Sequence, residues 1–412
     1  MKASELKNKG NIILAALFFA WIVSYVDRTA ISLALVNIGA DMKFTESQLG
    51  IILSAFFMGY ALMQIPGGWL ADKFGSKKVV ISAIFIWSLF TALTGLAWSF
   101  TSLILIRFLF GVGEGSYPSA STKAIATYFA SEKRTKAQST MMSSNMLGGA
   151  IAPILCAPLL VWLGWRHVFW VISLLGIIII IWFLWATHRA KIFHTNTAEQ
   201  PRKFEKGEYK KLLRNSYLWK LLLVFFFVNI ANWGLFSWMP TYLMKVHNVN
   251  LSSIGFISAI PAIFATFGMM ISGPIITKIG GKAKYGVVLS AAILATMLFL
   301  MSNAQSIPLI IFYQTIAMVF SSFVISFIFT APHRVMEEHV VGSAFGIVNF
   351  GGQAAGVLSP IIMGSLISYT GGSYHIAFIF LAVSCFLASI IALTLPMKNK
   401  KQVSMTTSVS KI

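Results

Sequence analysis

Four charged side chains stand out because their surroundings are apolar. Asp27 and Arg28 are adjacent in YVDRTAISLA, and Arg107 and Glu114 stand seven residues apart in ILIRFLFGVGEGSYPSASTKAIATYF. Seven residues make two helical turns, so Arg107 and Glu114 leave one face, roughly 10 Å apart along the axis. An ionised side chain at the centre of a bilayer costs about 2.5–3.5 kcal/mol on insertion scales, and intramembrane charges are functional by default. Two carboxylates facing two arginines leave the empty site near zero net charge. Burial favours the neutral form of a carboxyl and a nearby guanidinium the ionised form, so a carboxyl that changes partner changes its affinity for a proton. An anion arriving at Arg107 would compete for that arginine and release the carboxylate to be protonated. Arginine suits the task because its planar fork grips a carboxylate and keeps its charge. The alternative is that these are permanent ion pairs locking two helices together.

The elements that must position these groups are membrane spans. The 412 residues are 57% hydrophobic and only 11% charged, against about 25% charged in ordinary domains, and mean hydropathy is +0.78. A soluble globular protein is excluded. Twelve apolar blocks, near 12–34, 48–70, 78–98, 102–129, 139–163, 167–187, 218–243, 252–276, 284–303, 307–331, 342–368 and 374–396, each match the length of a helix crossing ~30 Å of hydrocarbon. The expected fold is an all-α membrane protein of twelve transmembrane helices. The first block is too long for a cleavable signal and continues into further spans.

The net charge of +20 is distributed by topology. With the N-terminus placed in the cytoplasm, 25 of the 32 Lys and Arg fall on that side and only Lys43, Arg166 and Lys245 on the other. This is the positive-inside pattern, which puts both termini in the cytoplasm and removes nucleic acid as a partner. Of the residual charges inside the blocks, Lys123 and Lys220 lie near helix ends and read as snorkelling side chains. Trp98, Trp162 and Trp165 read as interfacial residues. Cys156 and Cys385 have no metal-type spacing and read as packing residues.

Residues 188–216 form the longest polar stretch and the one linker. The expected organisation is an N-terminal six-helix bundle at 1–187, a cytoplasmic linker at 188–216, a C-terminal bundle at 217–396 and a cytoplasmic tail at 397–412. A shift of 205 residues lays Ser47 on Ser252, Gly50 on Gly255, Gly68 on Gly273, Lys73 on Lys278, Gly75 on Gly280 and Lys77 on Lys282. A parallel repeat of this kind is a transporter architecture with its site between the halves near the midplane. Arg107 and Glu114 map onto Phe312 and Val319, so the charged chemistry belongs to the first half.

GGWLADKFGSKK resembles the helix 2–3 signature of the major facilitator superfamily, and Arg107-x-x-x-Gly111-x-x-x-Gly115 resembles its helix 4 signature. YVDRTAISLA and RFLFGVGEGSYPSASTKAIATYF are similar to the anion:cation symporter family within it, which includes bacterial sugar-acid carriers and animal organic-anion and vesicular glutamate carriers. The resemblance covers essentially the whole length. It implies two pseudo-symmetric six-helix bundles and alternating access, with organic-anion transport coupled to protons or sodium. It also implies that Arg28, Tyr60 and Arg107 line the substrate site, that Asp27 and Glu114 are the coupling carboxyls, and that Asp72 sits in a cytoplasmic gate.

Around that core, Asn232, Asn349 and Gln353 could bind substrate hydroxyls or merely join helices, as could Tyr60. Gly68, Asp72, Gly75, Lys77 and Lys78 form a candidate gate, with Asp72 latched to the two lysines; a topogenic role is the alternative for the lysines. No histidine relay, metal-ligand cluster or phosphate-cradling loop is apparent, so neither an enzyme nor an ATP-driven pump is expected, and no cofactor. The expected protein is a monomeric inner-membrane symporter importing an organic anion with protons, sodium being the alternative ion. A sugar acid such as a hexuronate, aldonate or aldarate is the expected substrate. An exporter or facilitator of another carboxylate, an amino acid or a drug is the competing reading, and a non-transporting membrane sensor a remote one.

Overall fold

The computed structural model describes residues 3–188, 190, 212–335 and 341–396. Most of the expected linker and the whole of the expected tail lie outside them. The described residues are helical: α1 Ala3–Met42, α2 Glu46–Phe74, α3 Ser76–Gly95, α4 Phe100–Gly115, α5 Tyr117–Tyr128, α6 Ser131–Thr187, α7 Ser216–His247, α8 Leu251–Ile279, α9 Ala283–Ser302, α10 Ile307–Val335, α11 Val341–Tyr369 and α12 His375–Leu393. Ten of these are long and apolar enough to cross a membrane. Helix α6 is 57 residues, roughly 85 Å of helix and far beyond one crossing. Its chain leaves helical geometry at Gly164 (φ 73°, ψ 161°), so it supplies two crossings, and α4 with α5 supplies one more. Twelve crossings result.

Local chemistry sets the helix ends. Thr45 and Gln48 close a capping box at the start of α2, and Ser99 and Ser102 close another at the start of α4. Gly75 ends α2 and begins α3 at φ 85°, a left-handed conformation natural to glycine. Its repeat counterpart Gly280 stands at φ 59°. Helices α2 and α8 are both 29 residues and begin 205 positions apart, so the duplication is visible in the elements as well as in the sequence.

The single helix expected over 102–129 is broken at Ser116. Pro118 occupies the second position of α5; it has no N–H to give and its ring crowds the carbonyl four residues back, that of Glu114. The break therefore follows directly after the buried carboxylate. Trp165 also departs from expectation: Trp98 and Trp162 are exposed, whereas Trp165 is buried with the Arg166 guanidinium 4.2 Å from its ring centre.

Two compact units are present, Met1–Asn196 with Phe236–Ile260 and Pro360–Gly372, and Thr197–Leu235 with Pro261–Ser359 and Ser373–Ile412. In the first, α2 and α4 touch backbone to backbone: a Cβ at Gly59 would lie 2.0 Å from the Phe108 carbonyl oxygen, and one at Gly111 2.2 Å from that of Phe56. At the Glu46 end of this unit, a Cβ at Gly50 would lie 2.3 Å from the Pro360 carbonyl oxygen, and one at Gly255 2.6 Å from that of Pro153. These two glycines are repeat partners, so one close contact is made twice. Lys245 of α7 pairs with Glu46 of α2 at 2.8 Å at the same end.

Candidate functional site

The site is built on α1, α3 and α4 of the first unit, with a wall from α2. Adjacent helical residues diverge by about 100° around the axis, so Asp27 and Arg28 meet different neighbours and do not pair with each other. Arg107 Nη1 donates to Asp27 Oδ1 at 2.8 Å, and the Thr91 hydroxyl donates to Asp27 Oδ2 at 2.6 Å. Arg28 pairs with Glu114: its Nε donates to Glu114 Oε1 at 2.9 Å, and its Nη2 and the Ser24 hydroxyl donate to the same oxygen. The two ion pairs thus cross between α1 and α4. Although Asp27 is its neighbour in the chain, Arg28 takes Glu114 as its partner.

All four charged residues are buried, with exposures of 2% for Asp27, 6% for Arg28, 1% for Arg107 and 2% for Glu114. In so dry a place each polar atom needs a partner, and two lack one: Glu114 Oε2 and Arg107 Nε. Aromatic faces supply the rest of the enclosure. The Arg28 guanidinium lies 5.1 Å from the Tyr25 ring centre, 4.7 Å from that of Phe56 and 5.0 Å from that of Tyr60. Arg107 lies 4.2 Å from the Phe110 ring. These are cation–π contacts, which hold a guanidinium in place without consuming its N–H donors.

Both arginines line a narrow cleft with Ser32, Leu53, Phe56, Phe57, Phe236 and Ser237. Its volume is ≈ 10 Å³, room for about one water molecule. The arrangement can do two things chemically. Arg28 can exchange its carboxylate for an incoming anion, and the unpartnered Glu114 oxygen can accept a proton without displacing a donor.

The other sequence candidates are distributed as follows. Tyr60 is buried beside Arg28. Asn232, Asn349 and Gln353 belong to the second unit; there the Ser321 hydroxyl donates to Asn232 Oδ1 at 2.9 Å, while Asn232 Nδ2 is buried without a partner. At the Gly75 end, Asp72 pairs with Lys123, and among the described residues no ion pair joins it to Lys77 or Lys78. The latch geometry expected for those lysines is thus replaced by one between α2 and α5, and Lys123 does more than snorkel. Gly68 has ordinary clearance, 3.7 Å to Ser119, whereas a Cβ at Gly67 would lie 2.5 Å from the Ser116 Cα. The close approach there belongs to Gly67.

Sequence reasoning missed Ser24 and Thr91. Hydroxyl residues are common in membrane helices, where they bond their own backbone or a neighbour, so nothing in their spacing marked them. The one available signal for Ser24 was its place three and four residues before Asp27 and Arg28, on the same side of α1.

Known proteins resemble the chain along most of its length. It is 27% identical to the "Probable L-galactonate transporter" of Escherichia coli, over 92% of this chain and 87% of that protein. It is 30% identical to the "Hexuronate transporter" of Bacillus subtilis, over 89% of each. It is also 30% identical to the "Probable sulfoacetate transporter SauU" of Cupriavidus necator, again over 89% of each. A solved structure of a bacterial homologue of the human lysosomal transporter Spinster, inward-facing and unoccupied, shares the fold at a TM-score of 0.78 and 19% identity, over 94% of this chain and 95% of that one. The model of the Major Facilitator Superfamily matches residues 17–360, and the chain belongs to that superfamily of membrane transporters.

Proposed function

We propose that this protein imports a sugar acid, such as a hexuronate or aldonate, together with protons across a bacterial-type plasma membrane, with both termini in the cytoplasm. The observation that carries the reading is the crossed pair of buried ion pairs, Asp27–Arg107 and Arg28–Glu114, with both arginines at one cleft. The names of the relatives, which include a hexuronate and a galactonate transporter, supply the substrate class.

The substrate carboxylate takes the fork of an arginine in place of the protein's own carboxylate. Glu114, released from Arg28, accepts a proton at Oε2, so the buried site never holds an uncompensated charge. Emptying on the far side reverses both exchanges. Asp72 with Lys123 steadies the cytoplasmic end of the first bundle.

Uptake by the full chain in liposomes tests this, using glucuronate, galactonate and sulfoacetate with and without an inward proton gradient. A pH difference of about one unit should drive about tenfold accumulation for each proton carried. Glu114→Gln should abolish that accumulation yet retain exchange of external for preloaded substrate. Normal accumulation by Glu114→Gln would remove the proton role. A preference for sulfoacetate would move the substrate to a sulfonate, the reading favoured by the SauU relative.

A further inference from the structure

The two buried carboxylates are not equivalent. Asp27 has both oxygens occupied, Oδ1 by Arg107 and Oδ2 by Thr91. Glu114 collects all its donors on Oε1 and leaves Oε2 buried and bare. Thr91 is 1% exposed and Asp27 2%, so no bulk water can substitute for either donor.

Each Asp27 oxygen already accepts one hydrogen bond to the charged carboxylate, the strong class, and a proton added to either oxygen would weaken the bond it carries. A proton on Asp27 or on Glu114 leaves a buried guanidinium without its counter-ion, but Arg107 Nε already lacks a partner, whereas Arg28 rests on the rings of Tyr25, Phe56 and Tyr60. A proton reaching Glu114 meets free lone pairs on Oε2 and displaces nothing. The other polar groups facing the two carboxyls do not reverse this difference. Cys156 of α6 faces Asp27 and has its thiol turned to the Val26 carbonyl oxygen, while Tyr25 of α1 and Tyr60 of α2 stand with Ser24 and Arg28 around Glu114.

We infer that Thr91 is a positioning residue that holds Asp27 as the permanent anion of Arg107, so that Glu114 alone takes up the proton and one proton accompanies each substrate molecule. This rests on the transport reading above for its last clause and on the hydrogen-bond geometry alone for the rest. It divides roles that the sequence had assigned to Asp27 and Glu114 together. Thr91 touches neither substrate nor proton; it acts through Asp27.

The test needs no transported substrate. In pH-difference infrared spectra of the full chain in liposomes, a buried carboxyl that gains a proton shows the carbonyl stretch of a protonated acid. The native protein should show one such band, lost in Glu114→Gln and kept in Asp27→Asn. Thr91→Val, which keeps shape but not the hydroxyl, should raise the number of buried titrating carboxyls from one to two, and Thr91→Ser should restore one. A native band lost in Asp27→Asn, or two native bands, overturns the inference even if Thr91→Val does not fold. A Thr91→Val spectrum identical to the native one overturns the part assigned to Thr91. If the bands behave as stated while no sugar acid is transported, the transport reading fails and the division of the carboxyls stands.

Discussion

Arg28 combines two properties that pull in different directions. Its charge is matched by Glu114, which ties it down, and its face rests on Tyr25, Phe56 and Tyr60, which would hold the guanidinium even after the carboxylate has left. A lysine at this position keeps the charge but has no planar fork to lie against the rings or to grip a carboxylate with two parallel bonds. Arg28→Lys is accordingly expected to weaken substrate affinity by about tenfold or more, an effect of about 1.4 kcal/mol, in equilibrium binding measured by calorimetry. Unchanged affinity would show that Arg28 does not touch the anion. The charged residues of this site were legible in the sequence because an ionised group in an apolar helix has a large energetic penalty and therefore calls for an explanation. Their pairing was not legible. Asp27 and Arg28 are neighbours in the chain, yet the angle between successive helical side chains sends them to separate partners, and the hydroxyls of Ser24 and Thr91 look like any others.

Among the elements, the seam between α2 and α4 fixes where Glu114 and Arg107 sit relative to the Tyr60 wall. It depends on Gly59 and Gly111, at each of which an added Cβ would strike backbone. Backbone cannot rotate aside as a side chain can, so the helices must separate, and overpacking of this kind costs about 1–3 kcal/mol or more. Gly59→Val should lower the thermal unfolding temperature of the detergent-solubilised protein and abolish uptake; a variant with native stability and transport would show that the seam is loose. Gly68→Ala, by contrast, has ordinary clearance against Ser119 and should leave stability unchanged. The extent of each span was readable from hydropathy because hydrocarbon thickness fixes helix length. The break after Glu114 depends on Pro118 in SYPSAS, a single residue whose effect on the carbonyl four positions earlier is masked in the sequence by so long an apolar run. Asp72 shows the opposite limit: Lys77 and Lys78 are near in sequence, but the helix beside it presents Lys123.

In the molecule as a whole, the repeat explains why the Glu46 end of the first unit is packed as it is. Gly50 and Gly255 each receive a proline carbonyl, and the half-exposed Lys245–Glu46 pair adds to the same end. A surface ion pair is worth about 0–1 kcal/mol, so the glycine contacts dominate. Gly50→Val should hold that end apart, abolish uptake and raise maleimide labelling of a Ser237→Cys probe in the cleft severalfold, whereas Lys245→Ala should change labelling little. Equal labelling in the two variants would assign the closure to other contacts. One last consequence follows from the count of charges at the site. Two guanidiniums and two carboxylates sum to zero, and a monocarboxylate arriving with one proton leaves the sum at zero. The loaded and empty forms then move through the membrane field with the same charge, so voltage neither helps nor hinders a uronate or an aldonate. A sugar diacid brings one more negative charge, against which an inside-negative potential works by about 2.3 kcal/mol per 100 mV, roughly a fiftyfold handicap. The membrane potential thereby becomes a filter for substrate valence, separating acids that the cleft itself could bind equally well.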